Sequence, residues 1–226
     1  MFITTIFDAA DALYEAARMI FQTTAQNDID RPNAILLPGG TTPRPLFQYI
    51  KENPFPVPDC LYIGYTDERH VSENDPASNY ALSRDMLQAL DVSPEHVIRV
   101  DTTLPLNEAA EQYDIALRTF FDEGGLIPLA FVGLGNDGHT CSLFSEEQLR
   151  TCSTSRFVMP VPRDDGPDRI SVTPSLLTRI KHVIVLVTGK EKASIVEQIT
   201  REPQSVIAGI ALSGCPRVSI WYSSQR

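Results

Sequence analysis

A chain of 226 residues, 42% of them apolar, can bury one sizeable core but hardly two full domains, so residues 1–226 are expected to form a single α/β domain. The net charge of −10 argues against nucleic acid as a partner, because phosphate backbones call for clustered Lys and Arg. An anionic ligand would have to find a local pocket of donors on an acidic surface.

The four cysteines, Cys60, Cys141, Cys152 and Cys215, form no CxxC pair, and no HxxxH or HExxH spacing accompanies them, so no metal site is expected. The start of the chain has no basic n-region and soon becomes charged, which does not suit an export signal. Scattered cysteines then read as reduced thiols and the location as cytoplasmic. The longest apolar run, Val183 to Val187, is far too short to span a bilayer, so no membrane association is expected.

In chain order, residues 8 to 25 place Ala9, Ala12, Leu13, Ala16, Ala17, Ile20 and Phe21 on one helical stripe. Ala34 to Pro38 reads as a short buried strand that ends in Gly39-Gly40, with a helix following from about Pro43. Cys60 to Thr66 is a second strand, with Asp67-Glu68-Arg69 at its end. A helix capped by Ser78 or Asn79 follows. His96 to Val100 looks strand-like, residues 107 to 123 helical, and Pro128 to Leu134 a strand apolar on both faces. The stretch Thr151 to Asp168 is the least ordered by composition. Arg169 to Thr173 and His182 to Thr188 read as strands, Lys190 to Ile199 as a helix, and Arg217 to Tyr222 as a last strand. Continuous apolar strands alternating with helices predict a Rossmann-like, mostly parallel sheet covered by helices on both faces.

In such sheets ligands bind beyond the carboxyl ends of the strands. Four polar segments fall at those ends: Gly39–Thr42, Asp67–Arg69, Asn136–His139 and Gly189–Lys192. In the first, two glycines admit a ligand close to the backbone while Thr41 and Thr42 add hydroxyls at a helix start, which suits a phosphate; a plain turn and cap would use the same residues. Gly133-x-Gly135-x-x-Gly138 matches the dinucleotide fingerprint. That fingerprint normally occupies the first βα turn, and Asp137 would set a negative charge where a pyrophosphate lies. His139 instead reads as a general base at the start of a helix expected near Cys141 or Ser142, where the helix dipole disfavours protonation. Asp137 or Asp67 could orient it or a water. Arg69 and Arg169 are candidate anion contacts, and Lys192, a cation set against a helix dipole, suggests an anion bound beside it. His70, His96 and His182 read as structural or solvated.

LLPGGTTP, TDERHVSENDPASNY, VGLGNDGHTCSLF, PDRISVT and VTGKEKA, in that order, resemble the 6-phosphogluconolactonases, which share a superfamily with the glucosamine-6-phosphate deaminases. The resemblance runs from about residue 30 to residue 222. It implies hydrolysis of 6-phospho-D-glucono-1,5-lactone, a small phosphosugar lactone, to 6-phosphogluconate in the oxidative pentose phosphate pathway, without metal or cofactor. It also implies that Gly40, Thr41, Thr42 and Lys192 bind phosphate, that Asp67 and Arg69 belong to the DER motif, and that His139 is catalytic. Three places depart from the family pattern: Cys141 stands for a usual alanine, Ser145 for a usual proline, and IWYSSQR lacks a common Asp-x-x-Ala.

Two other functions compete. A deaminase carries DGHIAFNEP, with a glutamate five residues after the histidine, where this chain has Phe144, and DEY in place of DER. A non-catalytic sugar-phosphate-binding module would keep GGTTP and Lys192 but has no use for His139.

Overall fold

The computed structural model describes residues 2–27 and 30–226. Its centre is a six-stranded parallel sheet in the order β1-β9-β8-β5-β2-β3. These strands are β1 (Phe2–Phe7), β2 (Asn33–Leu37), β3 (Leu61–Tyr65), β5 (Leu126–Gly133), β8 (His182–Thr188) and β9 (Val218–Ser223). The remaining three, β4 (Asp67–Arg69), β6 (Val158–Val161) and β7 (Arg169–Val172), make a small antiparallel sheet in the order β4-β7-β6.

Every residue of β2 and β8 is buried, as a strand covered on both faces requires. Alternation then sends neighbouring side chains to opposite faces. Ile35, Leu37, Phe131, Ile184 and Leu186 meet α1 (Ala10–Gln26), α2 (Arg44–Glu52) and α3 (Asn79–Ala89). Leu36, Val132, Val185 and Val187 face the other way. They meet α4 (Leu106–Asp122), α7 (Ala193–Arg201), α8 (Ile207–Ala211) and the small sheet. Two short helices, α5 (Glu146–Thr151) and α6 (Pro174–Leu177), complete the chain. None of the helices among the described residues is long and apolar enough to cross a membrane.

Thr66 joins the two sheets. Its backbone N–H donates to Leu37 at the end of β2, at 2.9 Å, while its carbonyl accepts from Val172 of β7, at 3.0 Å. The DER triplet, expected only as a strand end, therefore becomes the first strand of the second sheet.

Several expectations need correction. Residues 2–7 form an edge strand that the pattern hides, because Ile3 and Ile6 are exposed and Thr4 and Thr5 break the apolar run. His96 to Val100 is not a strand. A 3-10 turn at Pro94–His96 and a turn at Asp101 leave Val97 as a single bridge to Ile63. The stretch Thr151 to Asp168 is more ordered than its composition suggests, since it holds β6. There the buried Asp114 carboxylate of α4 accepts from the backbone N–H of Phe157 and Val158, at 2.5 and 3.0 Å. The helix expected at Lys190 to Ile199 begins as a 3-10 turn, Lys190–Lys192, before α7.

His182, at the start of β8, sits 2.8 Å from the Ser219 hydroxyl. Burial first, and then the Arg217 charge, push its imidazole down from 6.5 to about 4. The unfolded chain therefore binds more protons than the folded one between those values. Stability should be complete above pH 6.5 and fall as the pH drops towards 4. His182→Gln should flatten that acid limb in urea titrations run across the same range; an identical slope would assign the limb to other groups.

Candidate active site

Four parallel strands end at one edge and deliver four loops: Gly39–Thr42 after β2, Thr66–Arg69 after β3, Gly133–His139 after β5 and Thr188–Lys192 after β8. Between them lies a cleft of about 390 Å³. Gly40, Thr41, Thr42, Asp67, Arg69, His139 and Lys192 all line it.

The GGTT loop is anchored from below, where the Tyr14 hydroxyl of α1 donates to the Thr42 carbonyl at 3.0 Å. Gly39 is required by close approach: a Cβ there would lie 1.9 Å from Asn79 Oδ1. Asn79 in turn donates through Nδ2 to the Asp67 carbonyl at 2.8 Å and to its carboxylate at 3.2 Å. Ser142 Oγ donates to the other Asp67 oxygen at 2.7 Å. Asp67 thus ties three segments together at the floor of the cleft.

Glu68 turns away from the chemistry. Its carboxylate accepts from the backbone N–H groups of Arg69, Asn79 and Tyr80, at 2.8, 2.6 and 2.9 Å, and so caps α3. Arg69 donates through Nη1 to the Ala77 carbonyl at 2.7 Å, and its buried Nε has no partner.

The loop after β5 folds on itself, with Gly135 N–H donating to the His139 carbonyl at 2.8 Å and Gly138 N–H to Gly135 at 3.1 Å. This places His139 Nδ1 2.5 Å from Asp137 Oδ1. Burial would raise the Asp137 carboxyl, but the hydrogen bonds and charge of His139 outweigh it and hold the group below its ordinary value. An ionised carboxylate only accepts, so Nδ1 is the donor in this contact. Asp137 itself is not part of the cleft wall; it reaches the site through His139.

The helix expected near Cys141 or Ser142 is absent. Cys141 adopts φ +53 inside a tight Thr140–Leu143 turn, and α5 begins only at Glu146. The carboxylate of Asp137, not a helix dipole, is therefore what orients His139. The same fact removes the helix N-terminus that a dinucleotide fingerprint at Gly133–Gly138 needs. Ser145 caps α5 in a capping box with Gln148, which gives that departure from the family pattern a local purpose. Phe144 packs on the His139 ring, centroids 4.5 Å apart, and the Arg163 guanidinium lies over Phe144 at 3.9 Å.

Lys192 lines the cleft beside the β5 loop, its Nζ donating to the Leu134 carbonyl at 2.5 Å. Burial pulls its ammonium below the ordinary lysine value, while Asp137 and Glu191 favour the charge. Arg169 is the one anticipated contact that neither lines the cleft nor touches a residue of it through a hydrogen bond. It pairs across from Arg69 in the small sheet and donates to the Pro167 carbonyl. Tyr14, Glu191 and Arg226 line the cleft without any sequence signal to mark them, although Glu191 sits inside the VTGKEKA segment.

Comparison with known proteins fits this architecture. The family described as Glucosamine-6-phosphate isomerases/6-phosphogluconolactonase matches residues 8–214. The chain belongs to that family. It is 34% identical over 164 residues to the 6-phosphogluconolactonase of Synechocystis sp., covering 70% of this chain and 67% of that protein. With the 6-phosphogluconolactonase of Thermotoga maritima it shares 30% over 169 residues, 74% of each. The crystal structure of the Thermotoga maritima enzyme superposes with a TM-score of 0.80 at 24% identity, covering 99% of this chain and 100% of that one, and shows the shared fold.

The family loop that carries His139 depends on one missing side chain. A Cβ at Gly135 would fall 2.2 Å from both Asp137 Oδ1 and His139 Nδ1. Gly135→Ala should therefore open the Asp137–His139 contact while the fold persists. A low-field Nδ1 proton resonance present in the wild type and lost in the variant would show this by NMR; retention of that resonance would contradict it.

Proposed function

We propose that the chain hydrolyses 6-phospho-D-glucono-1,5-lactone to 6-phosphogluconate, with residues 1–226 acting as one lactonase unit on a small phosphosugar lactone. The observation that carries this reading is that His139, held 2.5 Å from Asp137, shares one cleft with Lys192 and the GGTT loop. His139 offers a base, and Lys192 with the GGTT loop offers donors for a phosphate.

Ester hydrolysis needs a water, a base and stabilisation of the oxyanion. His139 Nε2 takes a proton from water, and the hydroxide adds to the lactone carbonyl. Asp137 stabilises the imidazolium that results. The tetrahedral oxyanion collapses with cleavage of the bond between the carbonyl carbon and the ring oxygen. His139 then returns its proton to that leaving oxygen. Arg69 lines the same part of the cleft as Asp67, where a cation favours the developing negative charge. The phosphate, bound by Thr41, Thr42 and Lys192, supplies remote binding energy that holds the carbonyl at His139.

The deaminase alternative requires a carboxylate five residues after His139. Phe144 occupies that place and lays its ring on the imidazole, which fills the corner with an apolar group. The purified protein should hydrolyse freshly generated 6-phospho-D-glucono-1,5-lactone well above the spontaneous rate and release no ammonia from glucosamine-6-phosphate. Ammonia production at a comparable turnover, or a lactone rate equal to background, would overturn the assignment.

A further inference from the structure

The phosphate end of the cleft is short of positive charge. A phosphate monoester carries about −1.5 to −2 near neutrality. Lys192 supplies one positive charge there, and Thr41 and Thr42 are neutral donors. Arg69 also lines the cleft but is engaged with the Ala77 carbonyl. Yet one more cation lines the wall beside Lys192. It is Arg226, three residues beyond β9 in the segment that departs from the family pattern.

Three hydrogen bonds hold the segment that carries Arg226. Gly189 N–H donates to the Ser223 carbonyl at 2.9 Å, the Tyr222 hydroxyl to the Gly189 carbonyl at 3.3 Å, and Gln225 N–H to Ser223 Oγ at 3.2 Å. The segment after β9 is thereby fixed to the turn that leads into Lys192. Gly189, at φ +106, lets that turn fold so tightly that a Cβ there would lie 2.5 Å from Glu191 Oε1. Glu191 in turn accepts from Arg226 Nη2. Its carboxyl is held below the ordinary range, chiefly by that hydrogen bond.

The geometry points to Arg226 as a second phosphate-binding cation, carried at the mouth of the cleft by Glu191 and specific for the phosphorylated lactone. A guanidinium presents five N–H donors, so it keeps a contact to Glu191 with one edge while another meets two phosphate oxygens. The Arg226 side chain is 75% exposed, and an exposed Arg–Glu pair is worth little by itself, so turning towards a dianion costs the fold little. Glu191 has a second effect: it offsets part of the repulsion between Lys192 and Arg226.

This assignment rests on the sugar-phosphate reading for its substrate, and the test separates the two. Arg226→Ala should raise the KM for 6-phospho-D-glucono-1,5-lactone about tenfold more than the KM for unphosphorylated glucono-1,5-lactone, the size of one charged hydrogen-bond contact. Calorimetric binding of inorganic phosphate and of 6-phosphogluconate should weaken by a similar factor, and Arg226→Lys should recover part of the loss. Lys192→Ala serves as the internal control. Discrimination lost in Lys192→Ala but kept in Arg226→Ala would overturn the role of Arg226 and leave the phosphate site standing. Equal losses on both lactones would also overturn it. Absence of turnover on either lactone in the wild type would fall on the proposed activity instead, and phosphate calorimetry would still decide the role of Arg226.

Discussion

Four parallel strands that stop at the same edge are the constraint on which the cleft depends. β3, β2, β5 and β8 are consecutive neighbours, all running the same way, so their carboxyl ends present Thr66, Gly39, Gly133 and Thr188 to one another. The register is fixed from below, because each strand buries one row of side chains under α1–α3 and the other under α4, α7, α8 and the small sheet. A one-residue slip in any strand would exchange those rows. The site inherits its precision from the core.

The cleft also reconciles an acidic protein with an anionic ligand. The net charge of −10 is a property of the whole surface, whereas binding is local. Lys192 and Arg69 reach the cleft from different loops, and the acidic groups nearby are committed. Asp137 is bound to His139, Glu68 to the start of α3, and Asp67 to Ser142 and Asn79. Hydrogen bonds from protein donors lessen, without cancelling, the repulsion between these carboxylates and an anion.

Much of this was legible in the sequence because it rests on local signals. Buried strands such as Asn33–Leu37 and His182–Thr188 announce themselves as continuous apolar runs, and the loops after them as clusters of Gly, Thr and Lys. What stayed hidden depends on distant contacts. β1 is an edge strand with exposed isoleucines, so its pattern is weak. β6 forms because Asp114, more than forty positions away, holds its backbone. The helix foreseen after His139 gave way to a tight turn at Cys141, and with it the dipole argument. Asp137, two residues before His139, lies 2.5 Å from its Nδ1. Arg226 could not be foreseen, because nothing in its own neighbourhood records that β9 runs beside the Gly189 turn.

In the proposed reaction His139, held by Asp137, activates water in the cleft. The most direct measurement is turnover of 6-phospho-D-glucono-1,5-lactone by His139→Ala, with the spontaneous rate subtracted and 6-phosphogluconate binding recorded on the same sample. A loss of roughly 10²- to 10⁴-fold in turnover is expected, the usual worth of a general base, with product binding retained. A folded variant that binds 6-phosphogluconate and turns over the lactone at the wild-type rate would contradict it.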